Sequence, residues 1–355
     1  MQRLIPPRAR AGGGWRLGLI AAIGLAALAL TATAQPGSDS QARPTAAKAS
    51  ITLALVLDDC VNPVERPLVK GAEDAAKKLG FTLKNVCPNP NTAQNQISLV
   101  QDLVAQKVNA IIILPVDSSA LVPAINDAVD AGVTVATTEL DAPTSKRSFF
   151  YFGGTPPLGQ GKMQADRVAA YFKGKGARGT IKYVVTSCLP TVTGQQDRRK
   201  GFETEAARLN KLKTSKFKLK EVGFYNTTTD PAKNLVNVQN IWTAKHSKMQ
   251  VAYAMCGPDT QNWGTVLRRQ KDHKILVAGY DWLPRSLDLI GEGWVAWSLG
   301  SSLYREGLHT FTVVYNHFAK GTPLPTGSSH GTSIFASKKN LAQIRKSPDV
   351  TSVGG

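Results

Sequence analysis

The chain runs twice through the same alternation of short apolar runs and amphipathic stretches, and this repeat most constrains its fold. In the first round, Ile51–Leu57, Phe81–Val86, Ala110–Leu114 and Val133–Thr137 are apolar runs of strand length. Between them lie Val64–Leu79, Ala93–Gln106 and Ser119–Ala131, with apolar residues at helical spacing, such as Leu68, Ala72, Ala75 and Leu79. Near-continuous apolar strands, rather than alternating ones, fit burial on both faces. The order β-α-β-α-β-α-β therefore predicts a parallel sheet with helices on either side.

The pattern restarts after Phe149–Phe152. Strands are expected at Gly179–Thr186, Phe217–Tyr225, Gln250–Cys256 and Ile275–Tyr280. Helices are expected at Leu158–Phe172, Gln195–Leu209, Pro231–Trp242, Thr260–Arg269 and Leu283–Ile290. The fold class is α/β, with two doubly wound, Rossmann-like parallel-sheet domains. A composition of 42% hydrophobic and 19% charged residues supplies enough apolar mass for two cores. Neither first strand is followed by G-x-G-x-x-G or G-x-x-x-x-G-K-[ST], so no nucleotide cofactor is expected.

In open α/β sheets, ligands lie beyond the carboxyl ends of the strands. Two such domains would face those ends across a cleft. The polar residues at the predicted strand ends and loops are Asp58, Asn62, Glu65, Glu139 and Asp141 in the first half. The second half offers Arg198, Asp259 and Asp281, with Trp263 and Trp282 nearby as stacking surfaces. Asp and Asn also cap helices at such junctions. Capping accounts most easily for Asp117 before Ser118-Ser119, and less well for Glu139 or Asp281.

The N-terminus carries Arg3, Arg8, Arg10 and Arg16 without an acid, then the apolar run Leu17–Leu30, then Ala32-Thr33-Ala34. A basic head, an apolar middle too short to span a bilayer and a small-x-small site together predict a secretory signal cleaved near Ala34. Residues 35–49 read as a flexible leader. An exported chain can keep disulfides. Cys60, Cys87, Cys188 and Cys256 each lie at or just past the end of an apolar run. Four cysteines allow three connectivities; if consecutive strands pair within each half, Cys60 meets Cys87 and Cys188 meets Cys256. No CxxC spacing occurs and only five histidines are present, so no metal site is expected. The net charge of +18 includes the run Arg208–Lys220, read as solvated surface rather than a nucleic-acid site.

These residues resemble a known family. Asn62-Pro63 with Gly71–Gly80, Ala110–Ser118, Ala131–Pro143, Arg198-Arg199-Lys200-Gly201-Phe202 and Val277–Asp281 follow, in order, the motifs of the ribose-binding-protein-like class. That class comprises sugar-type periplasmic binding proteins of ABC transporters, within the type I periplasmic binding protein family. The resemblance covers roughly residues 50–340. It implies two lobes joined by a multi-strand hinge, with the ligand cleft between them. The implied lobes are 50–153 plus 302–325 and 154–301 plus 326–345. Crossings are implied near Gly153–Pro157, Gly300–Ser302 and Pro323–Thr332, with a helix at Leu303–Phe318 completing the first lobe.

By the same resemblance, Asn62, Glu139, Arg198 and Asp281 stand where the family contacts sugar hydroxyls. The family's paired aromatics are replaced by Val64 and Glu65, a third falls near Thr229, and a hinge glutamine falls near Ser301. The implied function is capture of a sugar or polyol by a monomer, in the periplasm, for delivery to an ABC permease. Alternatives are a cationic ligand held by an acidic cleft, or presentation of the closed form to a histidine kinase or chemoreceptor. No nucleophile–base pair is found, so no enzyme is expected.

Overall fold

The computed structural model describes residues 50–353; the signal and leader expected over residues 1–49 lie outside them. The chain begins β1 (Thr52–Val56), α1 (Arg66–Leu79), β2 (Thr82–Val86), α2 (Ala93–Ala105), β3 (Ala110–Ile113), α3 (Val122–Asp130), β4 (Thr134–Thr138) and β5 (Phe149–Phe152). It continues through α4 (Pro157–Gly174), β6 (Gly179–Ser187), α5 (Thr193–Asn210), β7 (Phe217–Asn226), α6 (Pro231–Lys245), β8 (Val251–Ala254), α7 (Gly257–Gln270), β9 (Leu276–Tyr280), α8 (Pro284–Glu292) and β10 (Trp297–Gly300). It ends with α9 (Leu303–Lys320), β11 (Gly327–His330), β12 (Ile334–Ala336) and the single turns α10 (Leu341–Ile344) and α11 (Pro348–Thr351).

Two six-stranded sheets result, ordered β2-β1-β3-β4-β5-β11 and β7-β6-β8-β9-β10-β12. The first is parallel throughout, and the second is parallel except for β12 against β10. Successive side chains of one strand go to opposite faces. Leu53 and Leu55 pack in one core with Ile112 and Ala136, while Ala54 and Val56 pack in another with Ile111 and Val135. The second sheet repeats this, with Val184 on one face and Val185 on the other. The continuous apolar runs of the sequence are thus strands covered twice. At the edge strand β7, Phe217 and Leu219 point inward, while Lys216, Lys218 and Lys220 are exposed. Lysines there discourage pairing with another chain.

The chain passes between lobes at residues 153–156, at 301–302 and at 331–333. The third passage corrects the expected boundary at 325. Gly327–His330 pairs in parallel with β5, so it belongs to the first sheet. Exposed Gly-Ser-Ser-His has no apolar content to announce a strand. The C-terminus then returns to the first lobe. Ile344 and Val350 join the second-lobe core, Val353 joins the first-lobe core, and Arg66 Nη1 donates to the Val353 carbonyl at 3.0 Å.

Each lobe contains one helix pair in close backbone contact. A Cβ added to Gly71 of α1 would fall 2.1 Å from the Tyr304 carbonyl of α9, and one added to Gly307 would fall 2.1 Å from the Leu68 carbonyl. In the second lobe, Gly161 of α4 meets the Arg198 carbonyl and Gly201 of α5 meets the Leu158 carbonyl, also at 2.1 Å. The residues before the crossing-helix glycines, Glu306 and Gln160, reach the hinge. Glu306 accepts from the Gly153 amide at 2.9 Å and the Glu139 amide at 2.8 Å. Gln160 donates to Ser301 and Ser333 at 3.2 and 3.0 Å.

Candidate functional site in the interlobe cleft

The lobes are shut on one another. Thr229 Oγ1 of the second lobe donates to Asp59 Oδ2 of the first at 3.2 Å, and the Thr193 amide donates to the Val116 carbonyl at 3.3 Å. Between them lies a cavity of about 60 Å³. Six of the polar residues expected from sequence line it: Asp58, Asn62, Glu65 and Glu139 from the first lobe, and Arg198 and Asp281 from the second.

Local structure places each of them. Asn62 caps the short turn Pro63–Glu65: its Oδ1 accepts from the Val64 amide at 3.2 Å, and its Nδ2 donates to Glu65 Oε1 at 3.3 Å. That turn aims Glu65 inward, and both Glu65 and Asp58 are only 5% exposed. Glu139 and Asp281 are the first residues beyond β4 and β9, with φ of 55° and 65°. Such angles are uncommon for residues with a side chain and mark constrained sites. The Asp281 carboxylate accepts from the Gly257 amide at 2.7 Å, at the start of α7, where the helix dipole favours a negative charge. Arg198 Nε donates to Gln160 Oε1 and Nη1 to the Met255 carbonyl, both at 2.9 Å, with the guanidinium 4.4 Å over the Tyr280 ring.

The electrostatics are one-sided. Burial pushes the Asp58 carboxyl up to about 8, with the charges of Glu139 and Asp59 adding to the rise. Burial and the neighbouring Glu139 and Asp58 hold Glu65 well above the usual carboxylate range. Burial also raises Glu139 and Asp281, with Arg198 opposing the rise in each. The Glu65 and Glu139 carboxyls lie within hydrogen-bonding reach of each other. Asp58 Oδ1, Glu65 Oε2 and Glu139 Oε1 are buried with no hydrogen-bond partner.

Four expected site residues are elsewhere. Asp141 forms an ion pair with Arg147 and accepts from Thr137 Oγ1 and Ser328 Oγ at 3.0 Å each. Asp259 is fully buried and accepts from Thr227 Oγ1 and Asn234 Nδ2 at 2.6 and 2.7 Å, a structural role. Trp263 is wholly inside the second-lobe core, its indole N–H on Thr186 Oγ1 at 3.2 Å. Trp282 packs over Gly300 and donates to the Ser298 carbonyl at 3.3 Å, so neither indole offers a face to the cavity. Sequence reasoning missed Gln195 and Phe152, which line it, and noted Ser301, which also lines it, only as a hinge position. Gln195 sits in the first turn of a helix, a position whose composition gave no signal.

Both disulfides join strand ends within one lobe, Cys60–Cys87 and Cys188–Cys256, with Cα separations of 5.3 and 6.3 Å. Cys256 also borders the cavity, on an apolar patch with Leu114, Leu140, Leu189 and Val192.

Comparison with known proteins places these features in context. The family model described as periplasmic binding protein domain matches residues 53–322. The ribose import binding protein of Escherichia coli is 27% identical over 252 residues, covering 70% of this chain and 79% of that protein. Its counterpart in Bacillus subtilis is 29% identical over 235 residues, covering 66% and 70%. Among solved structures, a Caulobacter myo-inositol binding protein bound to myo-inositol superposes with a TM-score of 0.71 at 21% identity, over 86% of this chain and 97% of that one. GanP, a glucose-galactose binding protein from Geobacillus stearothermophilus, superposes with a TM-score of 0.69 at 23% identity, over 83% and 99%. At these identities the superpositions establish the fold.

Proposed function

The chain belongs to the periplasmic binding protein family, and we propose that it captures one small hydroxyl-bearing solute, of sugar or polyol type, and delivers it to an ABC permease. One observation carries the reading: Asp58, Asn62, Glu65 and Glu139 from one lobe meet Arg198 and Asp281 from the other around a single cavity. Hydroxyls donate and accept at once, and this wall holds both carboxyl acceptors and a guanidinium donor. Ribose, glucose, galactose and myo-inositol, in the names of the relatives, are solutes of this kind.

The mechanism is closure about a hinge. Ser301 and Ser333 hydroxyls lie 2.9 Å apart on two adjacent crossings, and Ser333 accepts from the Thr155 amide on a third at 2.9 Å. Small rotations in such a bundle of crossings swing whole lobes. Closure removes the solute from water, so a few well-placed polar groups set specificity. Both walls come from one chain, so a monomer suffices. The Arg-rich head, apolar run and Ala32-Thr33-Ala34 direct it to the periplasm with cleavage near Ala34. The solute is bound and released unchanged.

The test is a thermal-shift screen of the protein purified from cells expressing the full sequence. The panel holds pentoses, hexoses, polyols and amino sugars. A solute at ~1,000 times its dissociation constant stabilises the folded state by about 4 kcal/mol, well within resolution. A folded protein unmoved by the whole panel would overturn the reading.

A further inference from the structure

The two walls of the cleft differ in charge. The second-lobe wall offsets Arg198 with Asp281, whose carboxylate is also held by the Gly257 amide. The first-lobe wall carries three carboxyls, Asp58, Glu65 and Glu139, and no cation. Asp59 stands behind Asp58 and adds negative charge; Lys and His are absent from the residues lining the cavity. Three buried net charges cannot remain unbalanced in a shut cavity. Protons supply the balance in the empty cleft, and a ligand cation would supply it in the filled one.

The unsatisfied atoms sharpen the argument. Asp58 Oδ1, Glu65 Oε2 and Glu139 Oε1 have no hydrogen-bond partner, and Asp58 and Glu65 are each 95% buried. An ammonium group brings three donors, one charge and no acceptor. Among the described residues, no three Asp, Glu, His or Cys side chains are grouped to hold a metal ion. We propose that the cleft takes a hydroxylated solute bearing an ammonium group, seated on the wall of Asp58, Glu65 and Glu139 while its hydroxyls face Arg198, Asp281 and Gln195. This deepens the binding function proposed above and rests on it.

Matched pairs test it: D-glucose with D-glucosamine, D-galactose with D-galactosamine, and myo-inositol with an aminodeoxyinositol. Calorimetry should show the amine at least tenfold tighter in one pair or more. Its heat should depend on buffer, because protons leave the carboxyls, and its affinity should rise severalfold from pH 5 to pH 7 while the neutral partner's does not. Glu65→Gln should lower the amine-to-neutral ratio about tenfold. Should that variant fail to fold, the buffer and pH dependence of the wild-type protein decide alone. A neutral partner that binds as tightly as its amine in every pair overturns the inference and leaves the binding function standing. A shift with calcium or magnesium but with no amine also overturns it. No shift with either member of any pair, from folded protein, overturns the inference, and the binding function is then decided by the wider panel.

Discussion

Glu139 and Asp281 occupy the same place in the two lobes: each follows the fourth strand of its sheet, each is in the left-handed region, and the two face one cavity. A side chain in that region costs about 1–2 kcal/mol relative to glycine. Burial of both carboxyls adds to the cost. Stability has therefore been given up for two acceptors held in fixed directions. Glu139→Gly and Asp281→Gly should each raise the melting temperature of the ligand-free protein while weakening solute binding at least tenfold. A glycine variant that melts higher and binds as before would show that these angles serve the fold alone.

The cleft carboxyls also make stability depend on pH. Asp58 moves from an ordinary value near 4 when unfolded to about 8 when folded, so between those limits the folded chain holds the extra proton. Stability falls with pH wherever the folded state binds more protons. Glu65 and Glu306, also raised by burial, act in the same direction. Urea melts of the ligand-free protein should lose stability steadily from pH 5 to pH 8. Asp58→Asn should flatten the curve, and an unchanged slope would remove Asp58 as its source.

The reciprocal helix glycines give a prediction with an internal control. At Gly71, Gly161, Gly201 and Gly307 a methyl group would fall 2.1 Å from a carbonyl oxygen of the partner helix, so the helices must separate. Overpacking of this kind costs roughly 1–3 kcal/mol, and backbone neighbours put these sites at the upper end. Gly174, on the same helix as Gly161, has nothing within 4 Å and no positive φ. Gly174→Ala should be neutral or stabilise by up to ~1 kcal/mol through helix propensity. Chemical denaturation of the five alanine variants checks this, and a costly Gly174→Ala would refute the packing explanation.

Legibility in the sequence followed the physics of each element. Strands such as Ile111–Ile113, buried on both faces, had to be continuous apolar runs, so they were readable. Their carboxyl ends were therefore readable too, and Asp58, Glu139 and Asp281 with them. The tryptophans misled because an indole N–H finds partners inside a core as readily as in a cleft: Trp263 uses Thr186. Asp259 misled in the same way, as a buried carboxyl satisfied by Thr227 and Asn234. Glu306 was invisible because its role depends on a crossing that returns α9 to the end of β4, a contact made across 167 residues of sequence. The absent sugar-stacking aromatics at Val64 and Glu65, in contrast, were plain from sequence. They foretold a cleft dominated by charge, with Phe152 the aromatic among its lining residues.

The two disulfides should prove separable in function. Cys60–Cys87 spans 27 residues of sequence and Cys188–Cys256 spans 68. Loop-closure entropy assigns them about 3.5 and about 4.4 kcal/mol of stability. Their surroundings differ more than these energies. Cys60–Cys87 ties β1 to β2 at the outer side of the first sheet, and neither sulfur residue lines the cavity. Cys256 does line it, and Cys188–Cys256 shares an apolar cluster with Leu114 and Leu140 of the opposite lobe. The double variant Cys60→Ala, Cys87→Ala should melt lower yet bind solute within about twofold of the parent at a temperature where both are folded. Cys188→Ala, Cys256→Ala should melt lower and also bind at least fivefold more weakly, because the surface on which the lobes close has been loosened. Equal losses of affinity in the two variants would mean that both bridges act only through global stability.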